Sequence, residues 1–214
     1  MYKIGITGSI GTGKTTIANM FAIFNIPIFD ADLEIKKILR KKDVLQKLKR
    51  IWPLIFKKDQ IDKPKLKQII FSYKSEKKKL EKLLYPYLES ELEKFEKINH
   101  RKKILIYDVP LIYETKTEKK YDMILLAHCD IKKQRERVLS RDKISNSLFE
   151  RIIASQLSFN DKIKFKPKII KTNNFKLFIF IKVISLLIKT QIRLRSNNEK
   201  KKVNTRYRNN RLKL

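Results

Sequence analysis

The segment Gly8-Ser9-Ile10-Gly11-Thr12-Gly13-Lys14-Thr15 fits the spacing G-x-x-x-x-G-K-S/T. Each residue type in that pattern has a physical task. Glycines let backbone N–H groups turn inward onto anionic oxygens with no Cβ in the way. A helix starting at the end of the loop adds its unsatisfied N–H donors and positive dipole end, so Gly8, Gly11, Thr12, Gly13, Lys14, Thr15 and Thr16 together are expected to bind a nucleotide. Lys14 can carry charge to β- and γ-phosphates, and the Thr15 hydroxyl is placed to ligate Mg²⁺. The pattern points to ATP or a similar nucleoside triphosphate and does not by itself choose an acceptor. The chain has only four glycines, at positions 5, 8, 11 and 13, so a chance glycine-rich turn is a poor explanation.

Three carboxylates could choose the chemistry. Asp30 and Asp32 follow Ile26-Pro27-Ile28-Phe29, a short strand pattern. At the carboxyl edge of a parallel sheet, where ligands bind, such a group can take a proton from an attacking hydroxyl or help hold a metal. An Asp pair after a strand is equally a helix cap. Asp108 ends the apolar run Ile104-Leu105-Ile106-Tyr107, in the manner of a Walker B acid that supports the metal, or as a plain strand-end turn. Arg135, Arg137, Arg141 and Arg151 concentrate in one stretch of a chain that otherwise uses Lys, 40 to 12. They could neutralise phosphates or line a solvated helix face, and Arg137 and Arg141, four apart, share a face on either reading.

These side chains need a scaffold. Residues 3–7 read as a strand, the glycine loop follows, and Ile17, Met20, Phe21 and Phe24 have helical spacing. Strand, loop, helix and strand make a βαβ unit and hence a parallel sheet. Residues 33–100, free of Gly and rich in Lys and Glu, read as an all-helical insertion broken at Pro53, Pro64 and Pro86. Strands return at 103–109 and 122–127, residues 131–165 read as helical, and a last strand lies near Lys168-Ile169-Ile170. The run 177–188 is too short to span a bilayer and reads as a core helix.

Composition sets the outer bounds. The formal net charge is +30 over 214 residues, and 42% of them are hydrophobic, enough for a core. Abundant Lys, Ile and Asn look like compositional drift that scatters cations over any solvated surface. One Cys and two His exclude a disulfide framework and make a Cys- or His-built metal site improbable. No apolar run long enough for a transmembrane helix and no signal-peptide pattern is present, so a soluble, cytoplasmic protein without membrane contact is expected. A nucleic-acid-binding module would suit the charge but leaves the glycine cluster unexplained, and no specific nucleic-acid partner is expected.

Gly8 to Thr16, then Phe29-Asp30-Ala31-Asp32, then Asp108-Val109-Pro110-Leu111-Ile112-Tyr113-Glu114, resemble the signature segments of the dephospho-CoA kinases in order and spacing. Gln134, Arg137, Arg141-Asp142, Arg151 and Gln156 resemble that family's lid helices. The resemblance covers about residues 2–188. It implies an α/β fold with helices on both faces of a parallel core sheet, a helical acceptor-binding subdomain at 33–100 and a lid at 131–165. It also implies transfer of the γ-phosphoryl of ATP, with Mg²⁺, to the ribose 3′-hydroxyl of dephospho-CoA. Asp32 would be the base or orienter, Lys14 and Arg141 would neutralise the moving phosphoryl, Arg137 would contact the nucleotide, and Thr15 and Asp108 would hold the metal. A P-loop kinase of another nucleoside or nucleotide is the alternative. The chain departs from the family pattern at Lys63, at Tyr85-Pro86 and at Lys166-Pro167.

Residues 189–214 hold ten cations against one anion and no apolar stripe, so a flexible basic arm open to nonspecific polyanion contact is expected there. Deleting residues 196–214 should leave kcat and KM unchanged at moderate ionic strength and weaken retention on heparin. A loss of kcat/KM that grows as salt falls would instead show the arm steering an anionic substrate.

Overall fold

The computed structural model describes residues 1–57 and 60–211. Five parallel strands form the main sheet: β1 (Tyr2–Thr7), β2 (Ile28–Asp30), β5 (Ile104–Asp108), β6 (Met123–His128) and β7 (Lys168–Lys171). Their spatial order is β2-β5-β1-β6-β7, so β1 is central and the phosphate loop leaves from the middle of the sheet. Register brings the chemistry to one edge. Ile6 pairs with Asp108, Asp30 with Asp108, and His128 with Lys171, so every carboxyl end opens on the same side. β5 is buried along its whole length, which explains its unbroken apolar run.

The loop turns into α1 (Lys14–Ala22), which buries Ile17, Ala18, Met20 and Phe21. Gly13 caps this helix in the left-handed region at φ 86°, so the helix begins with no side chain between its first N–H groups and a ligand. Gly11 is also left-handed, at φ 75°. A Cβ there would lie 2.7 Å from Val138 Cγ2 and 2.8 Å from the Gln134 carbonyl oxygen. Both contacts are on α6 (Ile131–Asp142).

The insertion between β2 and β5 holds α2 (Ala31–Ile38), α3 (Lys42–Ile51), α4 (Lys63–Ser72) and α5 (Lys74–Ile98). It has its own core of Ile38, Val44, Leu48, Trp52, Ile55, Leu66, Leu80 and Leu84. Two expectations are corrected here. The stretch is not all helical, since β3 (Phe56–Lys57) and β4 (Gln60–Ile61) form a small antiparallel pair. Pro86 does not break the chain either and lies inside the 25-residue α5. A proline removes one helical hydrogen bond, but Leu80, Leu84 and Leu88 on both sides of it are committed to the same core.

After β6 come α6, α7 (Asn146–Ala154) and α8 (Phe159–Ile163). Lys143, left-handed at φ 49°, ends α6 and lets the chain double back. Contacts divide the chain into two compact units, Met1–Asn173 and Asn174–Leu214. The second contains α9 (Lys176–Arg211), in which Ile179, Val183 and Leu187 are buried at four-residue spacing. The flexible arm expected from Lys189 is instead helix as far as Arg211, and its last three residues lie outside the described residues. The segment carries no Gly or Pro, and Lys, Arg, Gln and Leu are good helix formers whatever the charge. Among the described residues no helix is long and apolar enough to cross a membrane.

Because Gly11 combines a left-handed backbone with close packing on α6, Gly11→Ala is expected to lower stability by about 2 kcal/mol or more, from backbone strain and overpacking together. Urea unfolding measures it, and an unchanged midpoint would refute the close approach.

Candidate active site

Side chains from distant segments hold the phosphate loop in shape. The Thr172 hydroxyl donates to the Thr12 carbonyl at 2.7 Å. Arg137 donates from one terminal nitrogen to the Gly11 carbonyl at 3.3 Å and to the Thr172 hydroxyl at 3.2 Å, and from the other to the Thr172 carbonyl at 2.9 Å. On the other flank the Ile10 backbone N–H donates to Gln156 Oε1 at 3.2 Å. Lys14 folds back on its own loop, donating to the carbonyls of Gly8 at 2.9 Å and Ser9 at 3.2 Å. Thr15 and Thr16 follow in the first turn of α1.

The carboxylates separate by role. Asp30 is a cap: its side chain accepts from the Leu33 backbone N–H at 2.9 Å and starts α2. Asp32, two residues on in the first turn of α2, lies within electrostatic reach of Lys14 and Arg141. Loss of hydration raises the Asp32 pKa above its ordinary value; Lys14 and Arg141 are close enough to oppose that rise, and Asp30 adds to it. Asp108 is 4% exposed and accepts from the Thr15 hydroxyl at 3.1 Å through Oδ2. Its other oxygen, Oδ1, is buried without a partner. Burial pushes the Asp108 carboxyl up to about 6, against the pull of Lys14 and Thr15, with Asp30 and Asp32 adding to the rise. Lys14 moves the other way. Burial lowers its pKa, the charges of Lys162 and Arg141 help, and Asp108 and Asp32 oppose. Lys14, Asp32, Asp108 and Arg141, spread over 128 positions of sequence, therefore share one electrostatic environment.

The arginines also divide. Arg135 pairs with Glu150 and stacks over the Phe149 ring at 5.4 Å, a brace between α6 and α7. Arg151 reaches the Ser72 hydroxyl of α4 at 3.5 Å and so links α7 to the insertion. Arg141 is exposed, its guanidinium forked onto the neighbouring Asp142 by two bonds of 2.8 Å. Arg137 is committed to the loop and to Thr172 by those bonds.

Sequence reasoning missed Thr172, which is 2% exposed and bonded to three separate carbonyl or side-chain groups near the loop. A lone Thr after a short strand gives no signal, because its partner Thr12 lies 160 positions away. Lys162 was also missed in a chain where Lys is everywhere.

A model of the family described as dephospho-CoA kinase matches residues 2–177. The chain is 34% identical over 184 residues to a dephospho-CoA kinase of Fusobacterium nucleatum, covering 84% of this chain and 94% of that one. It is 30% identical over 164 residues to a dephospho-CoA kinase of Bartonella henselae, covering 76% of this chain and 84% of the relative. Among solved structures, a Thermus thermophilus protein superposes with a TM-score of 0.77 at 23% identity, over 88% of this chain and 97% of that one. The dephospho-CoA kinase from Campylobacter jejuni gives 0.62 at 24%, over 88% and 96%. Those two likenesses establish the fold, and the family match over residues 2–177 establishes kinship: the chain belongs to the dephospho-CoA kinase family.

Proposed function

We propose that this chain transfers the γ-phosphoryl group of ATP to the ribose 3′-hydroxyl of dephospho-CoA, giving coenzyme A and ADP. The observation that carries the reading is the grouping of Asp32, Lys14 and Arg141 at the sheet edge where the phosphate loop ends. Asp32 orients the 3′-hydroxyl and accepts its proton as the hydroxyl oxygen bonds to the γ-phosphorus. The bond from that phosphorus to the β–γ bridging oxygen breaks, and the oxygen leaves with ADP. Loss of hydration raises the Asp32 pKa, which makes it a better proton acceptor than an exposed Asp. Lys14 and Arg141 bring cations to the equatorial oxygens, where such a transfer needs help most. Arg141 must leave Asp142 to do so, so an anionic substrate competes with that carboxylate for the fork.

The residues suit a Mg²⁺ ion. The Thr15 hydroxyl and the unpartnered Oδ1 of Asp108 stand together beside Lys14. One carboxylate and one hydroxyl match a cation that keeps water and phosphate oxygens as its remaining ligands. Among the described residues no group of three His, Cys, Asp or Glu could form an all-protein cage instead. Held there, Mg²⁺ would neutralise charge on the β- and γ-phosphates. The insertion serves as the acceptor-binding subdomain and α6–α7 as the lid, which the Arg151–Ser72 contact already brings to α4.

The deciding experiment offers the purified protein ATP and Mg²⁺ with dephospho-CoA, AMP, CMP or adenosine, and follows ADP and coenzyme A. Dephospho-CoA is expected to give the highest kcat/KM, and a higher value for AMP or CMP would overturn the reading. Asp32→Asn should lower kcat about a hundredfold with KM little changed. Arg141→Lys keeps the charge but loses the fork and should lower kcat about tenfold while equilibrium ATP binding holds. Near-normal kcat in Asp32→Asn would reduce that residue to a helix-start acid.

Asp108 has a raised pKa in the folded chain, so its ionised form costs stability above about pH 6 and costs nothing once pH falls below the ordinary Asp value. Asp108→Asn is therefore expected to raise the Tm of the nucleotide-free protein near neutral pH, a gain that shrinks toward about pH 4, while kcat falls. Melting curves across that range test it. A lower Tm than wild type at neutral pH would show that the charge is stabilising after all.

A further inference from the structure

Lys162 sits in α8 with 1% of its surface exposed. Its Nζ is 2.9 Å from Oε1 of Glu114, and the same oxygen accepts from the Leu157 backbone N–H at 2.9 Å. The pair is poorly consummated. The ammonium makes no well-aligned hydrogen bond, and Glu114 Oε2 is also buried without a partner. Withdrawing an ammonium from water costs several kcal/mol, and one misaligned ion pair offsets little of that. A buried brace would use its donors or be apolar; unused donors on a buried cation suit an anion that arrives later.

The surroundings say which anion. Gln156, six residues before Lys162, takes the Ile10 N–H of the phosphate loop. Glu114 closes the segment that starts at Asp108, the acid bonded to Thr15. Lys162 is thus paired to the residue that ends the Asp108 segment, it follows by six positions the residue that takes the loop's Ile10 N–H, and its charge reaches Lys14. We propose that Lys162 is a third phosphate-binding cation, whose ammonium donates to an oxygen of the transferring γ-phosphoryl group, and that Glu114 is the positioning residue that sets it there. The proposal rests on the kinase reading but not on the identity of the acceptor. Lys162 carries charge and moves no proton, so Lys14 and Arg141 keep their roles beside it.

The test measures kcat, KM, equilibrium binding of ATP and Tm for wild type, Lys162→Gln, Glu114→Gln and the double variant, with whichever acceptor the wild type phosphorylates. A preference for an acceptor other than dephospho-CoA would therefore overturn the earlier reading and leave this one still on trial. Lys162→Gln is expected to lose about a hundredfold in kcat with ATP affinity changed by no more than about threefold. Glu114→Gln should lose about tenfold, and the double variant should match Lys162→Gln alone, because Glu114 acts through Lys162. Should Lys162→Gln fail to fold with Glu114 left unpaired, the double variant, which buries no lone charge, carries the test. A double variant with kcat within about twofold of wild type and a lowered Tm would make the pair a structural brace and sink the proposal.

Discussion

A loop that presents its N–H groups inward to an anion turns several of its carbonyls outward, and those oxygens need donors. That requirement organises much of the molecule. Thr172 supplies the Thr12 oxygen, Arg137 the Gly11 oxygen, and Lys14 the oxygens of Gly8 and Ser9. Gln156 accepts the Ile10 N–H on the far flank. An unpaired buried carbonyl costs about 1–3 kcal/mol, so each of these bonds is worth keeping on its own account. Together they also explain why β7, α6 and the 156–162 segment converge on one nine-residue stretch. Their side chains complete the loop as much as the loop completes the site.

The polar end of the sheet sets acids and bases against each other. Burial drives Asp108 and Asp32 toward their neutral forms and Lys14 toward its own, while attraction between them opposes all three shifts. Lys14 is folded on the loop carbonyls, and Arg141 is forked onto Asp142. Lys14 is thus held by neutral carbonyls and Arg141 by a bidentate carboxylate pair.

What was legible in the sequence was local. The loop pattern, the strand ending in Asp108 and the βαβ order depend on neighbours within a few residues, and the fold follows them closely. Asp30 and Asp32 could not be separated until the cap bond to Leu33 showed which one was spent. Thr172 and Lys162 were invisible because their roles come from residues about 50 to 160 positions away, and a Thr or a Lys in this composition carries no pattern. Pro86 and α9 misled for the opposite reason. Local rules predict a break and an unordered arm, whereas packing around Leu80 and Leu84 and the absence of Gly and Pro from α9 favour helix.

The clamp on the loop also imposes an order of events on folding. The glycines of the site, Gly8, Gly11 and Gly13, lie within six positions of one another. β1 then waits for β5 and β6, about a hundred residues later, before it has neighbours to pair with. The carbonyls of Gly11 and Thr12 wait longer still, for Arg137 and finally Thr172. Until Thr172 docks, the whole nucleotide motif therefore stands with one flank of its loop unsupported. The segment with the most local sequence pattern is among the last to acquire its working shape.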